Sequence, residues 1–126
     1  MEEHEVYPAI GNEGFERLVR AFYRQIPADD LLGPMYPEED LEGAEQRLRD
    51  FLIYRFGGPP VYIEQRGHPR LRIRHAPFPI GTDARDRWVE LMNRALEQAG
   101  LPGEVQQLLG AFFASIATFL LNRPQR

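Results

Sequence analysis

The sequence predicts an all-α protein, because apolar residues recur at helical spacing in four long segments and nearly every such segment is closed by Pro or Gly. The first segment runs from about Asn12 to Ile26, with Phe15, Leu18, Val19, Phe22 and Ile26 on one stripe, Tyr23 beside it and Pro27 to end it. From Leu31 to Pro37, the residues Gly33, Pro34 and Pro37 block a continuous helix and make a tight corner around Met35 and Tyr36. A second helix carries Leu41, Ala44, Leu48, Phe51, Leu52 and Phe56. It stops at Gly57-Gly58-Pro59-Pro60, where the glycines allow left-handed backbone and the prolines forbid resumption.

Between Val61 and Ile80 the pattern weakens. Arg70-Leu71-Arg72-Ile73-Arg74 alternates like a strand, but a lone strand has no partner in a helical chain, so a loop and one short helix reaching His75 are expected. Trp88, Leu91, Met92, Ala95, Leu96 and Ala99 mark the next helix, with Thr82 or Asp83 as its cap and Gly100 just past its end. The last helix carries Val105, Leu108, Leu109, Phe112, Phe113, Ile116 and Leu120, with Pro124 beyond it. Its wide apolar face predicts a central position. Residues 1–126 are expected to form one domain.

Composition narrows the chemistry. The chain has no Cys, which excludes disulfide scaffolds, thiolate nucleophiles, Cys-rich zinc sites, iron-sulfur clusters and covalent haem attachment through Cys-x-x-Cys-His. No apolar run approaches the roughly 20 residues needed to span a bilayer. The N-terminus, Met1-Glu2-Glu3-His4-Glu5, lacks the basic and apolar regions of a secretion signal, so a cytoplasmic location is expected. A formal net charge of -4 argues against nucleic-acid binding. Arg66, Arg70, Arg72 and Arg74 nevertheless form a local positive patch suited to a carboxylate or phosphate. Hydrolytic catalysis lacks a nucleophile, since Ser115 and Thr118 fall inside the last helix.

Four ring side chains stand out by placement: Tyr23, Tyr36, His75 and Trp88. Singly, each fits a core role, the tyrosines and Trp as large side chains with one satisfied polar tip and His75 as a hydrogen-bonded structural residue. Without Cys, His75 is also the best available ligand for a transition metal. His68 is spaced to share a helical face with it, yet a zinc site has no further ligands at good spacing.

The stretch from Tyr36 to Phe78 bears a dense set of motifs. Met35-Tyr36-Pro37-Glu38-Glu39-Asp40-Leu41 is followed by Ala44-Glu45-Gln46-Arg47-Leu48-Arg49 and Phe51-Leu52. Gly57-Gly58-Pro59 and Tyr62 come next, then Glu64-Gln65-Arg66-Gly67-His68-Pro69-Arg70-Leu71-Arg72 leading to Arg74-His75-Ala76-Pro77-Phe78. With Phe22-Tyr23 before it and Arg87-Trp88 after it, this run resembles the group II truncated haemoglobins over about residues 10 to 92. It departs from the family pattern in Gly11-Asn12, where relatives carry a glycine pair, and in Tyr54-Arg55-Phe56, where many have Tyr-Trp before the glycines. Pro79 is expected to stiffen the turn after His75.

The resemblance implies a truncated globin fold, a two-over-two helical sandwich around non-covalent haem b (iron protoporphyrin IX). On that mapping His75 is the proximal ligand, with its other ring nitrogen donating to a carbonyl. Tyr23, Tyr36 and Trp88 would converge on the distal face as hydrogen-bond donors, Ala44 taking the place of the distal His of many globins. Leu48 would pack over the iron, Phe51, Leu71 and Phe78 would wall the ring, and Arg47, Tyr62, His68 and Arg72 are the candidates for the propionates. The expected ligands are dioxygen, carbon monoxide, nitric oxide or peroxide. Held dioxygen draws negative charge, so neutral donors would slow its loss and favour redox chemistry over delivery. Nitric oxide dioxygenation or peroxide reduction would need an external electron donor or reductase. A carrier, store or gas sensor without turnover is the alternative within this reading, and a colourless helical interaction module is the alternative outside it.

Overall fold

A computed structural model describes residues 1–123, so Pro124 lies outside the described residues. Six α-helices occur among them: α1 (Val6–Gln25), α2 (Leu41–Arg55), α3 (Val61–Arg66), α4 (Leu71–His75), α5 (Thr82–Gln98) and α6 (Gly103–Phe119). Short 3-10 turns cover Glu3–Glu5, Gly33–Met35 and Glu38–Asp40, and no strand is present among the described residues. The fold is the expected all-α two-over-two sandwich, with α1 and α2 as one pair and α5 and α6 as the other. None of these helices is long and apolar enough to cross a membrane.

The stripe read from the first segment is the core. Phe15, Leu18, Val19, Phe22, Tyr23 and Ile26 are all buried. Helix α1 begins earlier than expected, at Val6, and is interrupted at Gly11, whose φ of 64° and ψ of -174° break the helical path before Asn12. Glycine alone takes the left-handed geometry there. Asn12 needs none of it and instead accepts a hydrogen bond from the Tyr7 hydroxyl (2.9 Å).

At the far end of α2, Gly57 (φ 98°) passes so close to the N-terminal turn that a Cβ would lie 2.5 Å from the His4 carbonyl oxygen. The family departure at Arg55-Phe56 is filled locally. Phe56 is fully buried and meets Phe112 edge-on at 4.9 Å, while the Arg55 guanidinium covers Phe112 at 5.2 Å and pairs with Glu3.

Four expectations are corrected. The prolines after Gly58 do not forbid a helix: α3 starts at Val61 directly after Pro60, because proline lacks only an N–H that a first turn leaves unused. The segment to Ile80 therefore holds two short helices rather than one, divided at Gly67 (φ 74°). Neither Thr82 nor Asp83 caps α5; the N-cap is Gly81 in extended conformation, without a side-chain cap. Finally, α6 is not central. Helix α1 packs on both α2 and α5, and α6 packs on α5 alone of the long helices in any extent. Its apolar face is wide because one side, through Phe113 and Ile116, serves a cavity as well as the core.

Candidate functional site

The two helix pairs meet along α1 and α5 but leave a space open between α2 and α6. Between them lies a cavity of about 560 Å³, within the roughly 300–1,000 Å³ typical of small-molecule sites. This explains why Ala44 and Leu48 on α2 are only half-buried although their spacing reads as core: both face the cavity, and Phe51 and Leu52, which also border it, are covered by the rest of the core.

His75 ends α4 and lines this cavity. Its Nδ1 lies 2.7 Å from the Leu71 carbonyl oxygen, one turn back on the same helix. A carbonyl only accepts, so Nδ1 carries the proton and the lone pair of the neutral ring sits on Nε2. That tautomer is the one a metal-ligating imidazole requires. Asn122 fixes the segment from outside α4: its Nδ2 donates to the carbonyls of Phe78 (2.9 Å) and His75 (3.3 Å), and its Oδ1 accepts from the Ile80 N–H (2.8 Å).

Tyr23, Tyr36 and Trp88 line the same cavity from α1, the corner and α5. Tyr23 meets Tyr36 edge-to-face at 5.7 Å, and Trp88 is braced between Phe22 and Phe113, each at 5.6 Å. Burial pushes the Tyr36 phenol up to about 12, against which the nearby Trp88 indole N–H works, and burial likewise raises Tyr23 well above the ordinary range. Both hydroxyls therefore stay protonated and able to donate at any physiological pH.

Ion pairs from Arg87 to Asp29 and Asp30 tie together the elements that carry two of these donors. Asp29 Oδ2 accepts from the N–H groups of Leu32 (2.7 Å) and Leu31 (3.2 Å), holding the corner that leads to Tyr36. Its Oδ1 accepts from Arg87 (2.8 Å), the neighbour of Trp88 on α5. Burial pushes the Asp29 carboxyl up, but the Leu32 N–H and the Arg87 guanidinium together bring it below the usual carboxylate range. A depressed native value makes this contribution complete at neutral pH and lost as the pH falls through the unfolded and then the folded value. Asp29→Asn should therefore lower stability in urea at pH 7, and the difference from the unmodified protein should shrink as the pH is lowered through the carboxylate range.

Of the other residues expected at the site, Ala44, Arg47, Leu48, Phe51, Tyr62, Leu71 and Phe78 line the cavity. Arg47 spends its charge on a bidentate pair with Asp40 (2.6 and 3.3 Å), which holds the Asp40 carboxyl below its ordinary value. Tyr62 is buried edge-on to Phe51 at 5.5 Å.

His68 and Arg72 are not brought to the cavity. The His68 Nδ1 accepts from the Arg70 N–H (3.0 Å) in the turn before α4, and Arg72 turns outward, donating to the Phe119 carbonyl (3.1 Å) with its guanidinium 4.2 Å over that ring. Arg66 and Arg74 line the cavity instead, each 6.0 Å from the Tyr62 ring. All four arginines belong to one run, broken at Gly67 and at the left-handed Arg70 (φ 45°), and the helical turn of α4 puts Arg72 and Arg74 on different sides.

The donor set fits a haem. One imidazole has its Nε2 lone pair available, the walls are mostly apolar, the lining includes a phenol and two cations that join no ion pair among the described residues, and no thiol is present for a covalent link. Among the described residues no cluster of three or more His, Asp or Glu could hold a bare metal ion instead.

Comparison with known proteins agrees with this geometry. The family profile of bacterial-like globins matches residues 5–122. The chain is 38% identical over 119 residues to the Group 2 truncated hemoglobin YjbI of Bacillus subtilis (strain 168), covering 94% of this chain and 89% of that protein. Among solved structures, a thermostable hemoglobin from the actinobacterium Thermobifida fusca superposes with a TM-score of 0.90 at 48% identity, covering 94% of this chain and 98% of that one. The hemoglobin of the thermophilic phototroph Chloroflexus aurantiacus gives a TM-score of 0.89 at 44% identity, with the same coverage.

Proposed function

This chain belongs to the bacterial-like globin family as a group II truncated haemoglobin that holds non-covalent haem b and binds small gaseous ligands, and from that premise we propose that it retains dioxygen tightly and uses it in nitric oxide oxidation. When bound, the haem supplies an iron centre with one position open to a diatomic molecule and a one-electron redox couple. His75 would ligate the iron through Nε2, the Leu71 carbonyl holding the ring in orientation and raising its basicity. Tyr36 and Trp88 would donate hydrogen bonds to the distal ligand, Tyr23 backing the Tyr36 ring. Arg66, Arg74 and Tyr62 would meet the propionates.

The observation that carries this reading is the convergence of two high-pKa phenols and an indole on the cavity that His75 also lines. A hydrogen bond to a charged acceptor contributes about 1.5–3 kcal/mol, so each good donor slows escape by on the order of tenfold to a hundredfold. Slow release suits chemistry on a held molecule better than delivery. Peroxide reduction would use the same donors, and either cycle requires an external electron donor. The test is addition of nitric oxide to the oxygenated protein with a reductase and its electron source. Repeated turnover to nitrate is the expected result; a single stoichiometric conversion with rapid oxygen exchange would assign the protein to carriage or storage.

A further inference from the structure

The helix that carries His75 also presents a surface that the site does not use. From Gln65 to Thr82 the sequence contains no Asp or Glu, yet it holds Arg66, Arg70, Arg72 and Arg74, in a chain whose formal net charge is -4. Among the described residues, no ion pair involves any of these four arginines. Arg66 and Arg74 face the cavity, whereas Arg70 and Arg72 do not. Arg70 sits in strained left-handed backbone (φ 45°), held by the His68 imidazole, and Arg72 is laid over Phe119.

Between these two arginines and His75 stands Ile73, 69% exposed and absent from the cavity wall. Phe119, 44% exposed, lies under the Arg72 guanidinium. An exposed apolar centre beside charge of one sign, with Arg72 held in place, has the make-up of a transient protein interface, where charge steers encounter and a small apolar contact seats it.

We propose that the outer face of α4, formed by Arg70, Arg72 and Ile73 with Phe119, docks an acidic one-electron carrier protein that reduces the haem. The partner's acidity follows from the charge of the patch, and its role from the position of the patch two residues from His75. The inference rests on the haem-redox function proposed above. In the step itself the reduced carrier loses one electron, the ferric haem gains it and becomes ferrous, and no covalent bond forms or breaks.

Stopped-flow reduction of the ferric, haem-loaded protein by reduced plant-type ferredoxin, an acidic one-electron carrier, tests this. Arg70→Glu alone, and Arg70→Glu with Ile73→Asp, should lower the second-order rate by on the order of tenfold or more at low ionic strength and flatten its salt dependence. Arg20→Glu with Arg24→Glu, on α1, should leave the rate within about twofold of the unmodified protein. Reduction by dithionite should be unchanged in every variant, showing that fold and haem are intact. With oxidised ferredoxin, amide shift changes should centre on residues 70–73 and 119. Ferredoxin rates insensitive to the α4 variants, shift changes centred elsewhere, or α4-dependent binding to phosphatidylserine vesicles with none to ferredoxin would overturn the docking assignment. Absence of a Soret band in the unmodified protein would instead overturn the haem function itself.

Discussion

His75→Gly protein is expected to lose its haem at least a hundredfold more readily than the unmodified chain, and added imidazole should restore both the Soret band and haem retention. The cavity offers few other ligands: His75 is the sole imidazole, thiol or thioether on its wall apart from Met35, and the carboxylate of Asp40 is committed to Arg47. Perturbing only the group behind a metal-bound imidazole typically costs tenfold to a hundredfold in affinity, so loss of the ligand itself must cost more. Rescue by imidazole separates loss of a ligand from loss of the fold. Far-ultraviolet circular dichroism should be unchanged, because His75 ends its helix and is only half-buried.

The second large effect is on gas escape. Trp88→Phe should speed dioxygen release at least several-fold, and Tyr36→Phe with Trp88→Phe should speed it by on the order of a hundredfold or more, read by rapid mixing of the oxygenated protein with carbon monoxide. The two single effects should not add, because the indole N–H already works on the Tyr36 phenol, so removing either changes what the other can do. Phe in place of Trp88 keeps its contacts with Phe22 and Phe113, so stability should fall little compared with the change in rate. An unchanged release rate in the double variant would mean that neither group reaches the ligand.

The long helices were legible because burial repeats at a period that composition alone displays, as in Phe15, Leu18, Phe22 and Ile26. The short ones were not. Helix α3 has six residues and α4 five, too few for periodicity to declare itself, and α4 alternates Arg with Leu and Ile in a pattern that also fits a strand. The central position expected for α6 failed for a different reason: an apolar residue facing a cofactor cavity, such as Ile116, cannot be told by type from one facing protein.

Within the site, Tyr23, Tyr36, His75 and Trp88 all line the cavity. The basic residues divided otherwise, because their direction depends on a break at Gly67 and on the left-handed Arg70 before a five-residue helix, which residue spacing does not report. Asn122 and Asp29 escaped notice for a related reason. Each bonds a partner distant in sequence, Asn122 the Phe78 carbonyl and Asp29 the Arg87 guanidinium, and a single polar residue carries no pattern that would point to its partner.

A crystal structure of the ferrous, haem-loaded protein tests the central claim most directly. The expected result is one haem in the cavity between α2, α4 and the α5–α6 pair, with the iron bonded to Nε2 of His75 while Nδ1 keeps its hydrogen bond to the Leu71 carbonyl. Iron held by any other side chain, or a haem bound outside that cavity, would contradict it.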